Sequence, residues 1–195
     1  MRINPLKPLE PAHLQVALGA EQYYEGFSLL MELCDSIDLG EPPLAAVTDY
    51  QNAHRCPCGR TSFRIHSITP DGLIPVSPCV YLHDYKAPYD LRVDDLALII
   101  NSPQFRVFRQ RNQNLQLING CADCSLIEKC GGGCAARAYL YHVHQTGNLS
   151  FAQKDPYCPK GYLGSNSFPQ RPLPVVDQKL VHIDYLCTWI GRPKL

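Results

Sequence analysis

The chain of 195 residues carries eighteen lysines and arginines against eighteen aspartates and glutamates, a formal net charge of zero, and ten cysteines. Balanced charge offers no electrostatic grip on nucleic acid or an anionic membrane, and no stretch is apolar and long enough to span a bilayer or to read as a secretion signal, so a cytoplasmic protein is expected. The length suits one domain with a core, or a small cluster-binding domain with extensions, and the cysteine density lies below that of a small secreted disulfide scaffold.

Residues 1–19, with prolines at 5, 8 and 11, predict an extended or irregular segment. From Ala20 to Leu39, Tyr23, Phe27, Leu30, Cys34 and Ile37 recur at helical spacing and predict an amphipathic helix, ended by Gly40, Pro42 and Pro43, with Cys34 packed as an apolar residue. After the turn-rich Cys56-Pro57-Cys58-Gly59, Thr61–Ser67 reads as a strand with Phe63, Ile65 and Ser67 on one face and Arg64 and His66 on the other. Pro70-Asp71-Gly72 supplies turn chemistry, and Leu73–Val76 returns as a second strand, interrupted or at an edge because of Pro75. Such a hairpin delivers Cys58 and Cys79 to one end, while His66 and His83 read as solvated or hydrogen-bonded histidines. Asp94 or Asp95 can cap a short helix through Leu96–Ile100, and Ser102-Pro103 opens another, with Phe105, Val107 and Phe108 turned inward and Arg106, Arg109 and Arg111 in solvent. Ala135–Thr146 predicts a helix stopped by Gly147, with Cys134 at its first turn, where the helix dipole favours a thiolate, and with His142 and His144 structural or solvated. The tail, 161–195, combines a proline-rich run with an apolar stretch that Tyr185 and Trp189 anchor to the domain or to a partner.

The chemistry concentrates in Cys121-Ala-Asp-Cys124-Ser-Leu-Ile-Glu-Lys-Cys130-Gly-Gly-Gly-Cys134, followed by Asp155-Pro156-Tyr157-Cys158. Four thiols so close together converge on an iron–sulfur cluster, on zinc or in disulfides. A zinc site is most simply closed by a second C-x2-C or a histidine pair, whereas here five and three residues separate the later cysteines. A reducing compartment disfavours disulfides. Gly131–Gly133 lack a Cβ, so their backbone can approach a bulky cluster and turn N–H groups toward its sulfides.

The spacing CxxCxxxxxCxxxC, with KCGGGCAARA at its end and DPYC downstream, resembles the second half of the SPASM domain, the auxiliary-cluster domain of many radical S-adenosylmethionine peptide-modifying enzymes. Cys56-Pro-Cys58-Gly and Pro70-Asp71-Gly72 followed by Cys79 resemble its first half, with six residues between Gly72 and Cys79, a longer loop than the family usually has. The resemblance covers about residues 54–160. It implies an α+β fold, a small irregular cluster-binding domain with a β-hairpin and short helices over 51–160, between an N-terminal helical extension, 1–50, and a C-terminal extension, 161–195. Arg2-Ile-Asn-Pro and the first helix resemble the end of a radical enzyme's barrel. Two [4Fe–4S] clusters are implied, the first on Cys58, Cys79 and Cys134, with Cys56 open for its fourth corner and Cys34 and Cys187 as outside candidates. The second falls to Cys121, Cys124, Cys130 and Cys158. The radical-generating CxxxCxxC is absent, so the chain alone is not expected to cleave S-adenosylmethionine. The implied role is electron transfer or substrate positioning beside a radical enzyme acting on a peptide or protein. The alternative is a module in which iron–sulfur or zinc only staples the fold for partner binding.

Overall fold

Two consecutive tyrosines on the first long helix, each facing its own aromatic partner, organise much of the chain. The computed structural model describes residues 5–33, 41–47, 58–59 and 63–163. These divide into two compact units, one drawn from Met1–Cys56 and Asn114–Gln178, the other from Pro57–Gln113 and Lys179–Leu195. The cysteine-bearing region expected as one domain over 51–160 is thus shared between both units. The architecture is α+β: among the described residues there are seven α-helices, two 3₁₀ helices and one two-stranded antiparallel sheet.

In the first unit the segment expected to be extended holds a 3₁₀ helix, Pro11–Gln15. Pro11 has the fixed φ suited to a first helical position, and the Glu10 N–H donates to His13 Nδ1 at 3.3 Å. Helix α1, Ala20–Leu33, begins where the periodicity predicts. Its buried stripe is wider than expected, because Tyr24 and Met31 join Tyr23 and Phe27. The Tyr23 ring stacks on Tyr157 with centroids 4.2 Å apart, and Tyr24 stacks on Tyr162 at 4.8 Å. Leu44 and Val47 complete this core. Cys34, Ile37 and the last turn predicted for this helix lie outside the described residues. The predicted end of the first helix lies outside the described residues, and Pro42 and Pro43 open α2, Pro42–Ala45, after the extended Glu41, where a missing N–H costs nothing.

The unit continues with a 3₁₀ helix, Leu115–Leu117, then α5, Ile127–Cys130, α6, Ala135–Thr146, and α7, Pro159–Leu163. Helix α2 packs on α5, α1 on α7, and α6 on the first 3₁₀ helix. Both ends of α6 stand as predicted, with Gly147 in the left-handed conformation at φ 74°. His144 Nε2 donates to the Pro8 carbonyl at 2.8 Å, a structural role.

In the second unit β1, Arg64–Ile65, pairs antiparallel with β2, Val76–Ser77, so that Arg64 faces Ser77 and Ile65 faces Val76. Val76 also bridges Ala87 on its other side. The returning strand starts only after Pro75, which has no N–H for the ladder. The Pro70-Asp71-Gly72 turn forms as predicted, with the Gly72 N–H on the Thr69 carbonyl at 2.8 Å. The alternation of the first strand leaves open which of its faces is buried. Ile65 is exposed, while Arg64 Nη1 donates to the Val80 carbonyl at 2.8 Å and meets His83 Nε2 at 2.9 Å, and His66 bonds the Ser77 hydroxyl. The core of this unit sits on Val76, Ala87, Ile99 and Phe105, and among the described residues of the first strand Phe63 packs against it. A ladder two residues long cannot impose a buried face on its whole strand.

Helix α3, Leu96–Ile100, is capped by Asp95, whose Oδ1 accepts the Ala97 N–H at 2.6 Å. Helix α4, Pro103–Gln113, buries Phe105 and Phe108 but leaves Val107 exposed. The Ser102 hydroxyl, expected as a cap, is buried without a hydrogen-bond partner among the described residues. Arg111, expected in solvent, is buried because it follows Phe108 by one helical turn and so shares its face.

Candidate metal centre

The central cysteines are placed by a succession of tight turns. The Cys121 N–H donates to the Ile118 carbonyl at 3.0 Å, Cys124 to Cys121 at 3.1 Å, Ile127 to Cys124 at 3.1 Å and Cys130 to Leu126 at 2.8 Å. C-x2-C therefore closes one turn, and the next cysteine rides at the end of α5. Downstream, the Cys158 N–H returns to the Asp155 carbonyl at 3.0 Å, just ahead of α7. These turns bring Cys121, Cys124, Cys130 and Cys158 around one shared concavity, which Gly132 and Asp155 also line. Cys121 and Cys130 are buried, Cys124 and Cys158 half-buried. Four soft donors arrayed around a shared space, rather than on a point, fit the needs of a polynuclear cluster. Among the described residues no group of three cysteine, histidine, aspartate or glutamate side chains is placed to hold a single metal ion.

Burial, and after it the Asp155 carboxylate, push the Cys130 thiol up to about 12, while the Gly133 N–H acts in the opposite direction as a hydrogen-bond donor. Ligation to a metal is what would keep this sulfur a thiolate at neutral pH. The glycine run differs from the expected ring of amides. The Gly131 N–H is used by the helix end, on Ile127 at 2.8 Å, and the Gly133 N–H also meets the Cys130 carbonyl at 3.1 Å. All three glycines have positive φ, at 61°, 75° and 76°. At Gly133 the reason is Asp155: a Cβ there would lie 2.3 Å from the Asp155 Cβ.

Asp155 is the residue on which this half of the site turns, and reading the sequence gave it no role. Its carboxylate accepts the Cys134 N–H at 2.6 Å, the Tyr157 N–H at 2.9 Å, and Arg137 Nε and Nη2 at 2.8 and 2.6 Å. Burial alone would raise this carboxyl, but the paired guanidinium overrides it and holds the group below its ordinary value. Arg137 is wholly buried, donates through Nη1 to Glu41 Oε2 at 2.8 Å, and lies over the Tyr157 ring with 4.4 Å to its centroid. Lys7 pairs with the other oxygen of Glu41. Periodicity places Arg137 on α6 but carries no sign that its partners are 18 and 96 residues away. The Asp beside Pro156-Tyr157-Cys158 was the available signal.

Cys134 stands at the N-cap of α6, as expected, and is not among the described residues lining the four-cysteine concavity. In the second unit Cys79 is buried and Cys58 half-buried. A Cβ on Gly59 would lie 3.6 Å from the Pro78 Cβ, so the residues flanking these two cysteines meet. The seven described cysteines are free thiols. Cys34, Cys56 and Cys187 lie outside the described residues.

Comparison with known proteins gives one family. Residues 56–125 match the family model of SPASM, an iron–sulfur cluster-binding domain. No curated protein and no solved structure matches the chain. The matched stretch contains Cys56, Cys58, Cys79, Cys121 and Cys124, whereas Cys130, Cys134 and Cys158 follow it. Residues 56–125 are therefore similar to the SPASM family, an iron–sulfur cluster-binding domain.

Proposed function

We propose that the chain binds two [4Fe–4S] clusters and serves a radical S-adenosylmethionine system of peptide or protein maturation, as its electron-transfer or substrate-positioning part. The observation that carries this reading is the gathering of Cys121, Cys124, Cys130 and Cys158, from two separate stretches of sequence, around one concavity that includes the C-x2-C at the end of the matched domain. These four would hold one cluster, and the resemblance supplies the ligand set of the other. When bound, such a cluster supplies one-electron redox chemistry. The chain's own residues bury two of the sulfurs, shape the turns that present them, and hold the Asp155 carboxylate against the Cys134 backbone. The partners that follow are a radical enzyme or catalytic domain and its peptide or protein substrate.

Electron paramagnetic resonance of the anaerobically reconstituted, dithionite-reduced chain tests this. Cluster signals are expected, and Cys124→Ala or Cys130→Ala should remove one of them. A protein that holds only a redox-silent metal, and keeps its partner binding in those variants, would support a fold-stapling role instead.

A further inference from the structure

The charges nearest the four-cysteine concavity fall into two kinds. Lys154 and Lys160 line its rim and are exposed, so water and salt screen them. Asp155 and Arg137 are buried, at 1% and 0% exposure, and act through a medium that screens far less. Asp155 reaches the concavity itself, and its carboxylate is felt at the Cys130 sulfur. Behind it the signs alternate: Arg137 on Asp155, Glu41 on Arg137, Lys7 on Glu41. Arg137 thus stands between an anion at the site and an anion behind it.

We propose that Arg137 sets the reduction potential of the four-cysteine site by neutralising the Asp155 carboxylate beside it. This rests on the iron–sulfur reading above. Taking up one electron from an external donor adds one negative charge among four thiolates, so every fixed charge nearby favours or opposes that step according to its sign. With Arg137 in place the neighbouring carboxylate is cancelled and reduction is easier. Without it the Asp155 carboxylate keeps only the Cys134 and Tyr157 N–H groups as partners, and to the extent that it stays ionised it opposes reduction. The N-terminal segment enters through Lys7 and Glu41, which hold the far side of the guanidinium and so fix its place.

The test is a dithionite titration of the full, anaerobically reconstituted chain, read by electron paramagnetic resonance, with iron content measured alongside. Arg137→Gln should shift the midpoint to lower potential and Asp155→Asn to higher, and Arg137→Lys, which keeps the charge but not the two-pronged geometry, should stay near the wild type. Three variants holding normal iron at an unchanged midpoint would overturn the proposal. So would Arg137→Lys shifting as far as Arg137→Gln, since geometry rather than charge would then be at work. If Arg137→Gln loses its iron, the direction of the Asp155→Asn shift decides. A wild-type chain that takes up no iron would instead sink the functional reading on which this one stands.

Discussion

Gly133 and Gly147 share one backbone conformation, with φ at 76° and 74°, and differ in what surrounds them. Nothing lies within 4 Å of the place a Cβ would occupy on Gly147, so Gly147→Ala should cost only the left-handed backbone term, about 1 kcal/mol. Gly133→Ala adds a clash with Asp155, whose carboxylate is held by four donors and cannot step aside, and should cost several times as much, about 3–5 kcal/mol. Denaturant unfolding of the two variants checks the ratio, and equal losses would mean that Asp155 yields. His66 gives a second prediction of this kind. Burial, with Arg64 next, lowers its imidazole to about 4 from an ordinary value near 6.5. A depressed histidine stabilises the fold while neutral, so its contribution is fully present above about pH 6.5 and drains away as the pH falls toward 4. His66→Asn should flatten the pH dependence of stability between pH 6.5 and 4, and an unchanged slope would remove His66 as its source.

A hydrogen bond from the Tyr24 hydroxyl to the Tyr157 carbonyl at 2.6 Å, next to Cys158 in the chain, joins helix α1 to the cysteine turn. Tyr24→Phe keeps the ring that stacks on Tyr162 and leaves a buried carbonyl short of a donor, at a cost of about 1–3 kcal/mol. It should also speed iron loss to a chelator, and a release rate equal to the wild type's would show that α1 does not steady the turn. Elements such as α3 and α6 were legible in the sequence because their signals are local: Asp95 caps two residues on, and Gly147 stops the helix that precedes it. The short sheet was legible in its turn and not in its faces, since alternation says which residues share a side but not which side meets a core. Pro42 and Pro43 show the same limit, for proline fits both the residues after a helix and the first turn of the next one, and here it opens α2.

At the scale of the molecule, cysteine spacing nominates the run Cys121, Cys124, Cys130 and Cys134, and it is the resemblance to the SPASM family that puts Cys158 with the first three. The support beneath them was not legible. Nothing in the local sequence around Arg137 or around Glu41, which lies between Gly40 and Pro42, marks them as partners until folding brings them together across 96 residues. Buried ion pairs of this sort leave no periodic trace, and breaking one by removing a single partner costs about 3–5 kcal/mol because the survivor stays buried and charged. Arg137→Met should therefore lower stability by about that amount, and Arg137→Met with Asp155→Leu should recover part of it, which denaturant unfolding would show. The central claim is that sulfurs from distant stretches gather around inorganic clusters, and counting metal and acid-labile sulfide after anaerobic reconstitution tests it most directly. Two [4Fe–4S] clusters require about eight iron and eight sulfide per chain. One zinc per chain, with neither iron nor sulfide, would contradict it.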